Sequence, residues 1–177
     1  MRYYFHPDMR DKSNRQGFIM EDKERRLIYE AILTKNSIFK PCMYDFINHL
    51  SGGKKTYAMG HNIQKSEGVT VGGTRISQIY DSHFKIDGVN NWEFFESQGY
   101  EINIQRNKLA EEVTLYRGGE LIAKLESAGK DLFEDNADSG KGLLGSLSFG
   151  GNYRVDCEDK DLDIAFLLCF ALTRTAA

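Results

Sequence analysis

A run of nine consecutive apolar residues near the end of the chain, residues 164–172, limits the possible folds more than any other feature. Leu and Ala dominate the run, acidic residues precede it and Arg174 follows it, as the dipole of a helix prefers. At about 100° per residue, such a run points in every direction around the helix axis. The predicted helix therefore has no solvent face. A bilayer-spanning helix needs about 20 apolar residues, so the enclosing material must be protein.

The chain before this helix is typical of short strands joined by turns. It is rich in Gly (17) and aromatic residues (11 Phe, 9 Tyr, 1 Trp) and has only 2 Pro. Alternating apolar residues on either side of charged or glycine turns predict three hairpins: residues 17–20 with 26–33, 44–50 with 55–59, and 113–117 with 120–125. Further strands are predicted through residues 100–104 and 153–156, and a short helix after an Asn90 cap.

These elements predict one fold for the whole chain, because 177 residues is the length of one ordinary domain. An enclosed apolar helix that follows an up-and-down series of strands predicts a mainly β (α+β) domain over residues 1–177. The strands would form a closed antiparallel β-barrel around a central C-terminal helix near residues 161–173.

Residues 126–151 interrupt the strand pattern with six glycines among acidic residues. We expect a flexible acidic loop there, which at this length in a compact domain is either functional or disordered. Residues 140–145 match G-x-G-x-x-G, but no βαβ unit surrounds them. We therefore predict no nucleotide site in this loop, because the fingerprint works only at a strand-to-helix turn.

The net charge of −3 argues against a dedicated nucleic-acid-binding protein but hides an asymmetry along the chain. Residues 1–65 carry 12 Lys or Arg against 7 Asp or Glu, whereas residues 66–177 carry 11 against 19. A fold that keeps its first third on one side would present a basic face opposite an acidic one. If the strands interleave instead, the asymmetry disappears.

Cysteine usage and the first residues suggest a cellular location. Cys42, Cys157 and Cys169 are widely spaced and odd in number, which indicates neither a disulfide framework nor a zinc site. The first residues lack the apolar core of a signal peptide, and no transmembrane segment is predicted. We expect a cytoplasmic protein without a cofactor or metal.

Four segments and the terminal helix follow one another in a characteristic order. They are Phe84-Lys85-Ile86-Asp87-Gly88, Gly99-Tyr100-Glu101-Ile102, Gly119-Glu120-Leu121-Ile122-Ala123-Lys124-Leu125, and Tyr153-Arg154-Val155 before Asp161. This order resembles the tubby C-terminal-like superfamily, which includes the LURP-one-related proteins and the phospholipid scramblases. The resemblance implies a barrel of about twelve strands around the helix. It also implies that basic side chains on the barrel exterior bind phosphoinositide headgroups, whereas the absence of a scramblase's proline-rich region argues against lipid scrambling.

No arrangement that catalysis requires is found, because the histidines are scattered and no G-x-S-x-G is present. We therefore predict a non-enzymatic cytoplasmic binding module, which acts at the membrane surface if its ligand is an anionic phospholipid headgroup. The candidate ligand-binding residues are Arg10, Lys12, Arg15, Arg25, Arg26, Lys54 and Lys55. Alternatively, the same residues bind no ligand and only keep the turns solvated and protect edge strands from pairing with other chains. Two other functions stay open: a protein-interaction scaffold without a small ligand, and an enzyme that uses residues 126–151 as a lid.

Overall fold

A computed structural model of the chain describes residues 1–8, 10, 17–36, 41–65, 69–71, 74–77, 80–106, 111–127 and 151–175. For residues 61–65, 69–71, 74–77 and 80–83 it describes the backbone alone. The predicted loop at 126–151 falls outside the described residues from 128 to 150. Its first two residues belong to a strand.

The described residues form thirteen strands, two α-helices and a 3-10 turn. The strands are β1 (Arg2–Pro7), β2 (Phe18–Asp22), β3 (Leu27–Lys35), β4 (Cys42–Asn48), β5 (Gly53–Lys65), β6 (Val69–Val71), β7 (Thr74–Ser77), β8 (Tyr80–Ile86), β9 (Val89–Asn90), β10 (Tyr100–Arg106), β11 (Glu111–Arg117), β12 (Glu120–Ser127) and β13 (Tyr153–Cys157). The helices are α1 (Asn91–Ser97) and α2 (Leu162–Thr175), and the 3-10 turn Asp159–Asp161 leads into α2.

Eleven strands form one antiparallel sheet in the order β10-β11-β12-β13-β1-β2-β3-β4-β5-β8-β9, and β6 pairs with β7 separately. The mainly β fold with a C-terminal helix is therefore confirmed. The closed barrel is not confirmed, because among the described residues the pairing ends at β10 on one side and at β9 on the other. The helix α1 lies in the connection between these two ends.

The three predicted hairpins are confirmed as β2–β3, β4–β5 and β11–β12. In the β11–β12 turn, Gly118 and Gly119 have φ angles of 59° and 81°, a conformation that glycine adopts without strain. The register shifts by one residue beside Leu115. The predicted helix after residue 90 is α1, but the Asn90 side chain makes no capping bond to the backbone and instead donates to the Glu93 carboxylate.

The helix α2 lies in the core, as its apolar sequence predicts, and it begins and ends close to the predicted limits of 161 and 173. Residues 165–172 are each at most 2% exposed. The Phe166 ring contacts Phe5 of β1, Tyr29 of β3 and Phe46 of β4. Aromatic side chains from separate strands thus pack around one helix, and their burial stabilises both the helix and the curvature of the sheet.

The strand order shows whether the basic first third and the acidic remainder of the chain interleave in the sheet. Strands β1 to β5, which belong to the basic first third, are consecutive neighbours, and β10 to β13 of the acidic remainder are consecutive as well. The two parts do not interleave. The described strands of the basic segment therefore form five consecutive strands in the middle of the sheet, with β13 of the acidic remainder beside β1 and β8 of the same part beside β5.

Candidate functional site

Five of the seven predicted ligand-binding residues are described, whereas Lys12 and Arg15 lie outside the described residues. Each of the five lies beside at least one carboxylate. The pairs are Arg10 with Asp8 and Glu30 (2.8 and 3.0 Å), Arg25 with Glu21 (3.5 Å), Arg26 with Asp22 and Glu24 (2.6 and 3.3 Å), Lys54 with Asp45 (2.5 Å), and Lys55 with Asp163 (3.6 Å).

In several of these pairs the cation lies outside and the carboxylate lies beneath it. The Arg26 side chain is 72% exposed and that of Asp22 is 10% exposed, and the corresponding values for Lys54 and Asp45 are 56% and 12%. Surface ion pairs of this kind contribute little to stability and leave cation N–H groups free for water. An approaching anion would therefore meet the positive side of each pair first.

A cavity of about 410 Å³ lies beside the β2–β3 and β4–β5 turns, and we call it the turn cavity. It is lined by Met1, Arg2, Tyr3, Asp22, Lys23, Glu24, Arg26, Ile28, Leu50 and Asp159. Of the seven predicted residues, Arg26 lines this cavity. Lys23 and Arg2 also line it, although the sequence reasoning did not select them.

The Asp22 carboxylate shapes the wall formed by the β2–β3 turn. It accepts hydrogen bonds from the backbone N–H groups of Glu24 and Arg26, both at 2.9 Å, and from the Arg26 guanidinium at 2.6 Å. Burial works against its ionisation, but the hydrogen bonds from Arg26 outweigh that effect, and the pKa of Asp22 is lowered. Asp22 thus stays ionised and holds Arg26 at the rim of the cavity.

The opposite wall is formed by the β4–β5 turn and by β1. The Asn48 carboxamide oxygen accepts the backbone N–H groups of Leu50 and Ser51 at 2.9 and 3.2 Å, and its amide nitrogen donates to Asp163 of α2 at 3.0 Å. The Tyr3 hydroxyl donates to Asp159, and burial together with this bond raises the pKa of Tyr3. The β4–β5 turn is therefore tied to the start of α2, and β1 is tied to the 3-10 turn that precedes it.

The turn cavity combines two kinds of lining. Arg2, Lys23 and Arg26 supply positive charge, whereas Ile28 and Leu50 supply apolar surface. Three carboxylates line it as well: Asp22 accepts bonds from the turn, Asp159 accepts the Tyr3 hydroxyl, and Glu24 lies 3.4 Å from Lys23 and 3.3 Å from Arg26. This lining suits a ligand that has an anionic group joined to an apolar part.

A second cavity of about 250 Å³ lies between β5 and β10–β11, and we call it the seam cavity. It is lined by Lys55, Tyr57, Gln98, Tyr100, Arg117, Lys160, Asp161, Asp163, Ile164 and Leu167. Among the predicted residues, Lys55 reaches this cavity, whereas Arg10, Arg25 and Lys54 line neither cavity. The predicted ligand-binding residues that the structure describes therefore do not all line one cavity.

Arg117 and Lys160 of the seam cavity were missed by the sequence reasoning, because both lie in the acidic part of the chain. The Arg117 guanidinium lies over the Tyr100 ring, 5.2 Å from its centroid, and Lys160 pairs with Glu158 at 3.2 Å. Two aspartates, Asp161 and Asp163, face the same space. The seam cavity is thus polar and mixed in charge.

The buried thiols are poorly suited to nucleophilic chemistry. Burial raises the pKa of Cys157 to about 12 and that of Cys169 well above its ordinary value, so both thiols stay protonated at neutral pH. Cys157 and Cys169 are both buried free thiols. In the described part of the chain, no cluster of three or more His, Cys, Asp or Glu side chains is arranged to hold a metal ion.

Comparison with protein-family models, with curated proteins and with solved structures finds no match for this chain. The resemblance to the tubby C-terminal-like superfamily therefore stays a prediction. None of the helices within the described ranges has both the length and the apolar character needed to cross a bilayer.

The carboxylates beneath the surface cations predict a specific pH dependence. Hydrogen bonds from Lys54 and Thr56 lower the pKa of Asp45 below its ordinary value. Its contribution to stability is therefore complete above the pKa of the unfolded chain, about 3.9, and is lost as the pH falls through the lower folded-state pKa. We expect Asp45→Asn to reduce the acid dependence of the free energy of unfolding, measured by urea titration between about pH 6 and about pH 2. An unchanged dependence would contradict this role of Asp45.

Proposed function

We propose that the protein is a non-enzymatic module that binds anionic phospholipid headgroups, with the turn cavity as its site. The observation that carries this proposal is the lining of that cavity, where Arg2, Lys23 and Arg26 lie beside Ile28 and Leu50. Guanidinium and ammonium groups bind phosphate oxygens as bidentate or point donors. The adjoining apolar side chains suit the glycerol and acyl part of the same molecule, which a free inorganic anion lacks.

The arrangement of charge on the sheet supports this proposal. The described strands of the basic first third are neighbours, so their positive charge acts over one continuous surface. The surface cations lie outside their carboxylate partners, as the exposures of Arg26 and Asp22 illustrate. A membrane with negative surface potential would therefore approach these five strands on the side where the cations lie.

The fold also supports the proposal that the chain is a tubby C-terminal-like domain. An enclosed C-terminal helix packed on a large antiparallel sheet is the arrangement that a tubby C-terminal-like domain implies. A closed barrel would require the ends of the sheet at β9 and β10 to come together, and α1 already connects them. A cytoplasmic location, with peripheral attachment to the membrane, belongs to the same proposal.

Vesicle sedimentation tests the function directly. We expect the protein to sediment with vesicles that contain about one third phosphatidylserine or phosphoinositide, and not with neutral phosphatidylcholine vesicles. Binding should weaken strongly between about 0.05 M and about 0.5 M salt, because salt shortens the Debye length and screens the attraction between the exposed cations and the anionic lipid. Absent binding, or binding that is equal for neutral vesicles and independent of salt, would contradict the proposal and favour a protein-interaction scaffold.

A further inference from the structure

The β4–β5 turn holds one large apolar side chain out in solvent. Leu50 is 53% exposed, although it sits in a turn that is well defined by hydrogen bonds. The buried Asn48 carboxamide accepts its backbone N–H, and the Ser51 hydroxyl accepts that of Gly53. Gly52 completes the turn with a φ of 69°. The hydrogen-bonded turn therefore fixes an exposed apolar side chain at the rim of the turn cavity, where it is available to an apolar partner.

The charges around Leu50 indicate the chemistry of that partner. Lys23 and Arg26 lie across the turn cavity and are 76% and 72% exposed, and Lys54 and Lys55 follow the turn and are 56% and 61% exposed. Exposed cations thus flank an exposed leucine on two sides. A surface that offers phosphates with hydrocarbon just beneath them is complementary to this pattern.

A second exposed leucine provides a contrast within the same molecule. Leu121 is 55% exposed and is the second residue of β12, directly after the exposed Glu120. Glu120 also lies close enough to Lys160 to raise the pKa of that lysine, after the larger effects of Glu158 and Asp161. Leu121 thus has nearly the same exposure as Leu50, but an exposed carboxylate precedes it directly.

We propose that the β4–β5 turn inserts Leu50 into the interfacial layer of an anionic membrane, while the part of the surface around Leu121 stays in water. This inference rests on the proposed binding of anionic phospholipids and adds to it the orientation of the protein. Lys23, Arg26 and Lys54 contact lipid phosphates around the inserted side chain. The Glu120 carboxylate beside Leu121 is repelled by the same surface, so this part of the molecule tilts away from it.

Fluorescence quenching tests the orientation. Leu50→Trp and Leu121→Trp are made separately in a Trp92→Phe background, because Trp92 is the only tryptophan in the chain. With phosphatidylserine vesicles whose acyl chains are brominated, we expect a blue shift and quenching of the Leu50→Trp emission and no change for Leu121→Trp. In parallel, Leu50→Ser should weaken the affinity for the vesicles about tenfold or more, because the membrane no longer buries a leucine side chain. Leu121→Ser should leave the affinity unchanged.

Each outcome decides a different point. Sedimentation with quenching at residue 50 alone supports the proposed orientation. Sedimentation without quenching at residue 50, or with equal quenching at residues 50 and 121, overturns the orientation and leaves the lipid-binding function standing. Absence of sedimentation for the unsubstituted protein overturns both the function and the inference built on it.

Discussion

Leu168→Asp is expected to unfold the protein. Leu168 lies in the middle of α2 and is fully buried, with Leu167 and Cys169 buried on either side of it. An aspartate there would lose the apolar contacts of leucine and place a carboxylate among buried apolar side chains. Replacing a buried leucine by alanine alone costs about 2–5 kcal/mol, and an unpaired buried charge costs several kcal/mol more. The sum is comparable to the whole stability of an ordinary domain.

Circular dichroism and thermal unfolding measure this effect. Leu168→Ala should fold and lose about 2–5 kcal/mol of unfolding free energy, whereas Leu168→Asp should show no cooperative transition. Leu121→Asp is the matched control, because the same change at a side chain that is 55% exposed should alter stability by about 0.5 kcal/mol or less. A soluble Leu168→Asp protein with a transition close to that of the unsubstituted chain would contradict the enclosed helix.

The core could be predicted from the sequence because its signals are local. The unbroken apolar run at 164–172 requires enclosure on all sides, and the structure places its side chains against rings from several strands. The hairpins followed from alternation and from the turn at Gly118-Gly119. Closure of the sheet could not be predicted with the same certainty, because it depends on how β9 and β10 meet across α1.

The candidate site was predicted only in part, because it is assembled from distant segments. The described strands of the basic first third do lie next to one another in the sheet, and Arg26 lines the turn cavity. Sequence proximity to Arg25 and Arg26 was the one signal that could have added Lys23. The pairing of Lys55 with Asp163 joins residues that are far apart in the chain, and no local sequence pattern predicts it.

The β2–β3 turn carries most of the charge that the proposed function requires, so its substitution should have a large effect on binding. Lys23→Glu combined with Arg26→Gln lowers the net charge of the turn cavity by three units, at side chains that are 76% and 72% exposed. At about 1 kcal/mol for each charge near an anionic membrane, affinity should fall about a hundredfold. Because both side chains are exposed and Asp22 keeps its bonds to the backbone N–H groups of the turn, the fold should persist.

The most direct test compares this variant with a matched one in the seam cavity. Lys160→Glu combined with Arg117→Gln makes the same chemical changes at two exposed residues that border the other cavity. Both variants are first checked for native circular dichroism and are then titrated with phosphatidylserine vesicles at low salt. We expect about a hundredfold weaker binding for the Lys23 and Arg26 variant and a change of less than about threefold for the control. Equal losses, or a larger loss in the control, would contradict the turn cavity as the lipid-binding site.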